Sequence, residues 1–177
     1  MTDDELFKRY RQLHDPALLD ELVRQNFDRI YRFVASMLDK RHPVDDLVQD
    51  VLLNVVRNID RFRGESSFAT WVYQIAANRV CRYFDEEKKF VPTIEAKQLE
   101  SIADRDQSIA ETNELRHRID AAIADLSPPL RAAMLLTTVE GLTPEQAAEV
   151  ENCTAANIHW RVHKARKILK ERLKKYF

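Results

Sequence analysis

The sequence predicts an all-α protein of two small helical domains joined by a flexible linker, the second ending in a helix-turn-helix. Three observations lead there. Glycine occurs only at Gly64 and Gly141 in 177 residues, too rarely for a turn-rich β fold, a Gly-rich phosphate loop or a dinucleotide fingerprint. Apolar residues recur at three- and four-residue spacing over most of the chain, the period of an amphipathic helix. That period fails from Val91 to Asp106, which carries Pro92 and a net acidic balance. A structureless segment this long is unusual inside one compact domain. The expected division is an N-terminal domain over 1–90, an acidic linker over 91–107 and a C-terminal domain over 108–177. A solvated loop inside a single domain is the alternative.

Composition narrows the class. A hydrophobic content of 45% is enough for packed cores, and 32% charged residues suit helical surfaces. No apolar run reaches the roughly 18 residues of a membrane span. The start, MTDDELFKRY, carries acids where a secretory signal needs bases. A cytoplasmic protein without membrane insertion is expected, with Cys81 and Cys153 as thiols.

The elements follow in order. Leu6, Tyr10 and Leu13 share a face of a short helix from Asp3 to Leu13, with Phe7 beside them. Asp15 caps a second helix with Pro16 at its first position; its wide apolar stripe runs from Leu18 to Leu38. A third helix, Asp45 to Arg61, opens on an acidic patch of Asp45, Asp46, Gln49 and Asp50. Acids in a first turn complement the helix dipole, which accounts for one or two of these; a partner surface rich in arginine accounts for all four. The Gly64 loop, Phe62 to Ser67, leads to a fourth helix from about Phe68 to Lys89, capped by Ser66 or Ser67. Phe68, Trp71, Tyr73, Tyr83 and Phe84 alternate there with Arg79, Arg82, Lys88 and Lys89. Rings that stack on unpaired bases and cations that follow a backbone are what single-stranded nucleic acid requires. The competing reading puts Phe68, Trp71, Ile75 and Val80 in the core.

Helical period resumes at about Ser108 and runs to Asp125. Ser127 with Pro128 and Pro129 starts the next helix, which Gly141 ends. Thr143 then caps a short helix with Pro144 at its first position, and Thr154 caps a long one. Asn152 stands in the turn between them, where a residue tolerant of the left-handed conformation is needed. Two helices so spaced read as a helix-turn-helix, whose second helix enters the DNA major groove. That helix and its tail carry Arg161, Lys164, Arg166, Lys167, Lys170, Arg172, Lys174 and Lys175 against the single acid Glu171, in a chain of net charge −1. Such contrast is the footprint of phosphate binding, although a solvated C-terminal helix also carries charge.

Neither cofactor nor metal is expected. His159 and His163 lie four apart, but a zinc site needs a third ligand. A helical hydrolase using Asp45, Asp46 and Asp50 is the enzymatic rival; its helix has no histidine at short spacing, and a non-enzyme is expected. A stand-alone helix-turn-helix regulator is the other alternative, but it has no use for the acidic patch or for aromatics among bases.

Four stretches together resemble the extracytoplasmic-function sigma factors, the small two-domain promoter-recognition subunits of bacterial RNA polymerase. They are DDLVQDVLLNVVRNIDRF, FRGESSFATWVYQIAANRVCRYF, LSPPLRAAMLLTTVEGLTPEQAAEV and IHWRVHKARKIL, in that order over nearly the whole chain. The resemblance implies that Asp45, Asp46, Gln49 and Asp50, supported by Leu47 and Leu53, dock on the β′ clamp of the core polymerase. It implies that the loop Arg63, Gly64, Glu65, Ser66, Ser67 and Phe68 captures an extruded base of the −10 element, with Asn78, Arg79, Arg82 and Tyr83 touching nearby DNA. It assigns Thr154, Ala155, Asn157, His159, Trp160, Arg161 and His163 to the end that reads the −35 element, and Lys164, Arg166 and Lys167 to phosphate. The second domain would also meet the β flap, the acidic linker would thread the RNA exit channel, and an anti-sigma factor would hold the protein inactive. Three positions depart from the family pattern. Glu151-Asn152 replaces an apolar-Gly pair in the turn, His159 stands where a base is common, and Trp160 where a small polar residue is common.

Overall fold

Local capping chemistry sets most of the helix starts in the computed structural model, which describes residues 1–38, 42–90 and 118–174. The expected linker 91–107, and the onset of the helix expected at Ser108, lie outside those residues. Helix α1, Asp3–Leu13, begins with a capping box: the Thr2 hydroxyl accepts from the Glu5 N–H and the Glu5 carboxylate accepts from the Thr2 N–H. Asp15 caps α2, Pro16–Met37, by accepting from the Ala17 N–H at 2.9 Å. Helix α3, Val44–Asn58, has no side-chain cap; Asp45 and Asp46 complement its dipole instead. Where the sequence predicts one helix to Arg61, α3 ends at Asn58 and tightens into a 3-10 turn, Ile59–Arg61. Helix α4 is Phe68–Phe90. Its Ser67 cap accepts from the Thr70 N–H at 3.1 Å.

In the second half, α5 covers 118–124 and α6 is Pro128–Met134. Helix α6 widens into a π-turn, Leu135–Val139. Thr137 contributes there, since its hydroxyl donates back to the Ala133 carbonyl at 2.8 Å, a bond that competes with the helical ladder. Gly141, at φ 70°, ends the element as expected. Helix α7, Pro144–Val150, and α8, Ala155–Leu173, complete the described residues.

The packing departs from two separate cores. One buried cluster runs from Leu6 through Val80 and continues into Ala132, Ala133, Leu136, Ala147, Ala148, Val150 and Ile158. Helix α4 packs on α7. Three polar contacts bridge the halves: the Tyr73 hydroxyl donates to the Glu140 carboxylate, the Gln74 amide to the Glu149 carbonyl at 3.3 Å, and the Arg131 guanidinium to the Met37 carbonyl at 2.6 Å. Arg131 is buried, yet it donates also to the carbonyls of Ile123, Ala124 and Leu126. It thus closes the end of α5 and fastens it to α2. A smaller cluster of Ala122, Leu126, Leu130, Ala165 and Leu169 joins α5 and α6 to α8. Among the described residues, no helix is long and apolar enough to cross a membrane, and Cys81 and Cys153 form no disulfide with each other.

Candidate nucleic-acid and partner interfaces

The helix-turn-helix is built from its caps inward. Thr143 and Gln146 form a capping box on α7, and the Thr154 hydroxyl accepts from the Asn157 N–H at 3.2 Å on α8. Asn152 takes φ 48° in the turn, the left-handed conformation that Asn tolerates. On α8, His159, Trp160, His163, Lys164, Arg166 and Lys167 are exposed, as is the cap Thr154, whereas Ala155 and Asn157 are half-buried. Trp160 is 57% exposed, and the Lys164 ammonium lies 4.7 Å from its ring centroid. A ring held at that site by a cation offers apolar surface of the kind that meets a thymine methyl.

Arg161 is not presented in this way. It donates to the Glu151 carboxylate at 2.9 Å and to the Asn157 side chain at 3.1 Å, and the Glu151 side chain is only 8% exposed. Burial pushes the Glu151 carboxyl above the usual carboxylate range, with Arg161 opposing. The acid that departs from the family pattern in the turn is therefore the partner of an arginine on the reading helix. The pair braces the turn against α8.

On α3, Asp46, Gln49, Asp50 and Leu53 fall on one face at three- and four-residue spacing. Asp45, Asp46 and Gln49 are exposed, and Leu53 is 43% exposed, large for a leucine outside a partner surface. Leu47 points into the core and supports the face from inside. Val56, 41% exposed and one turn beyond Leu53, extends the same apolar strip. It was absent from the predicted set, although its three-residue step from Leu53 was readable. Asp50 is engaged: Arg79 of α4 donates to it at 2.9 Å. Arg79 also lies 3.8 Å from Glu86. One residue from the predicted docking set and one from the predicted −10 set thus pair with each other.

The remaining −10 candidates separate by burial. Phe68 is 1% exposed, packed with Phe7, Phe62 and Trp71, so its ring belongs to the core. Its N–H is taken by the Asp4 carboxylate of α1 at 2.8 Å. Arg63, Gly64 and Glu65 are exposed, and Ser66 and Ser67 half-exposed. Gly64 adopts φ 75°, with open space where a Cβ would stand. Asn78 and Arg82 are exposed; Tyr83 is half-buried, edge-on to His42 at 5.6 Å. Among the described residues, no three His, Cys, Asp or Glu side chains gather as a metal site.

This arrangement offers a basic helix end beside a wide aromatic, an exposed loop hinged on Gly64, and an acidic-apolar helix face. It suits recognition of duplex and unpaired DNA by a protein that also docks on a partner. Residues 22–90 match the family model Sigma-70 region 2, and residues 116–169 match Sigma-70, region 4. The chain is 29% identical over 182 residues to the ECF RNA polymerase sigma-E factor of Escherichia coli, covering 96% of this chain and 93% of that one. Its counterpart in Haemophilus influenzae is 28% identical over 186 residues, covering 98% and 96%. The fold is similar to that of CnrH solved in complex with the cytosolic domain of CnrY, at TM-score 0.71 and 19% identity, over 98% of this chain and 97% of that one. It is similar also to the sigma factor RpoE solved with the anti-sigma factor NepR from Bartonella quintana, at TM-score 0.69 and 23% identity, over 88% and 96%.

Proposed function

The chain belongs to the sigma-70 family as an extracytoplasmic-function sigma factor, an alternative sigma factor that directs promoter-specific transcription initiation, and from that premise we propose which surfaces do the work. The observation that carries the reading is the capped helix-turn-helix, with exposed His159, Trp160, His163 and Lys164 at the start of α8. These residues and Thr154 read the −35 element, and Lys164, Arg166 and Lys167 hold its phosphates. Arg161 acts as a brace beneath them. The exposed face Asp45, Asp46, Gln49, Asp50 and Leu53, with Val56 added, docks on the β′ clamp of the core polymerase, and the C-terminal domain meets the β flap. The Arg63–Ser67 loop captures an unpaired base of the −10 element, with Asn78 and Arg82 beside it. Trapping a base recovers the few kcal/mol that unstacking costs, so strand opening follows from binding, and the chain need perform no catalysis.

Docking must also change the shape of the protein. Elements centred at −35 and −10 lie about 25 base pairs apart, on the order of 85 Å at about 3.4 Å per pair. A compact chain of this length is only about 40 Å across. The α4–α7 contact, with Tyr73 on Glu140, must therefore part when both elements are read. Polymerase then holds the domains at the right spacing and raises the effective concentration of each at its element. An anti-sigma factor would hold the cytoplasmic, uncomplexed protein inactive; the complexes of CnrH with CnrY and of RpoE with NepR support this. The test is binding of the purified chain to bacterial core RNA polymerase with a promoter-library transcription readout. Tight binding with new sequence-specific transcripts is expected. Duplex DNA bound by the chain alone, with no affinity for core polymerase, overturns the assignment of surfaces.

A further inference from the structure

A groove of about 340 Å³ lies between α1 and the loop that follows the 3-10 turn. Phe7, Lys8 and Arg11 line one side, and Arg63, Gly64 and Ser66 the other. Its size is near the lower end of the roughly 300–1,000 Å³ of small-ligand sites, which suits one nucleotide rather than a helix. Its floor is aromatic: Phe7 and Phe62 approach to 4.7 Å between centroids, and Phe62 stacks on Trp71 at 4.7 Å. Its rim is cationic. Lys8, Arg11 and Arg63 are all exposed, and the Arg11 guanidinium sits 5.9 Å from the Phe7 centroid. The acids nearby oppose this only weakly. Asp4 is committed to the Phe68 N–H, and Glu65 meets Arg63 at 3.9 Å with both side chains almost fully exposed, a pair that a phosphate readily replaces.

Helix α1 is held in place for such a role. Asp4 ties it to the start of α4, Asp3 to Arg29 of α2 at 3.0 Å, and Tyr10 to Asp60 of the 3-10 turn at 3.2 Å. The groove is thus formed before any ligand arrives, which lowers the ordering cost of binding. We propose that α1 completes the base-capture site: Arg11 and Lys8 contact the base and backbone of an unpaired non-template nucleotide held against the Arg63–Ser67 loop. A guanidinium laid over a ring presents a plane on which a nucleobase stacks, and an ammonium at the rim follows the phosphate. The proposal rests on the capture role assigned above to the loop and adds a second wall from a helix outside both family-matched segments, which begin at residue 22.

The experiment compares the full chain with its K8A/R11A double variant and an R63A variant, each bound to core RNA polymerase. The probe is a labelled random pool of single-stranded oligodeoxynucleotides, titrated by fluorescence anisotropy over a range of salt. Thermal melts confirm that each variant is folded. The double variant is expected to bind single strands roughly tenfold more weakly, with a salt slope lower by about 1.4, some 0.7 for each lost phosphate contact. Duplex −35 binding should be unchanged. If R63A weakens the single strand and K8A/R11A matches the wild type in affinity and slope, the wall from α1 is overturned and the loop reading stands. If neither variant differs from the wild type, both fall.

Discussion

Arg79 and Arg161 are both arginines of a DNA-facing helix, and both are turned inward onto an acid, but their surroundings differ. Arg79 reaches from α4 to Asp50 of α3, whose side chain is 47% exposed. Arg161 reaches from α8 to Glu151 in the turn before it, whose side chain is 8% exposed. Water screens the first pair, so its net contribution is on the order of 1 kcal/mol or less. The second is largely desolvated, so removing one partner leaves a buried charge with nothing opposite it. The difference teaches what each pair is for. The N-terminal pair links a docking face to a DNA-facing helix and can exchange its partner for another. The C-terminal pair is a fixed strut that sets the angle of the reading helix.

The largest expected effect breaks the strut. Arg161→Met should destabilise the C-terminal domain by about 3 kcal/mol, read by urea unfolding. Adding Glu151→Gln should restore most of it, because the unpaired charge is then gone. Arg79→Met should cost no more than about 1 kcal/mol in the same assay. Equal losses for the two arginines would erase the distinction. Next in size, Asp46→Lys should weaken binding to core polymerase by roughly tenfold or more, about 1.4 kcal/mol, without lowering the melting temperature. Asp50→Lys should add a disturbance of Arg79, seen as altered single-strand binding. Unchanged affinity for core in both would remove the docking role.

Smaller still, Lys164→Ala should lower the salt slope of duplex binding by about one and weaken all sequences alike. A loss confined to one base position would make Lys164 a base reader instead. The smallest effect is in pH. The Glu151 carboxyl is raised above its ordinary value of 4.5 by burial, so the folded protein holds that proton more tightly than the unfolded chain. Stability from this group is present below pH 4.5 and is lost as pH rises through the raised value. Urea unfolding of the wild type against Glu151→Gln should show that decline only in the wild type.

Much of this was legible without coordinates. Helix starts at Pro16, Phe68, Pro144 and Ala155 follow from short-range chemistry, because a cap and the amides it satisfies lie within three residues of each other. Asn152 at positive φ and Gly141 as a terminator are likewise local. The acidic face of α3 could be read from spacing, though Val56 was passed over when the charges defined the patch. Phe68 shows the limit. A ring beside bases has the same pattern whether it faces solvent or a core, and only Phe7, Phe62 and Trp71 around it decide. Arg161 shows it again, since basicity does not reveal that Glu151 is buried ten residues away.

By itself, then, the sequence determined the helices, their caps, the helix-turn-helix and the concentration of positive charge along α8, all properties of neighbours along the chain. Tertiary structure alone decided which charges stay available and how the halves meet. It drew Arg79 onto Asp50 and Arg161 onto Glu151, set α1 against the Gly64 loop, and joined two expected cores through Tyr73, Arg131 and the small residues of α7. Those outcomes depend on desolvation and on contacts between residues up to 94 positions apart, which no local pattern encodes.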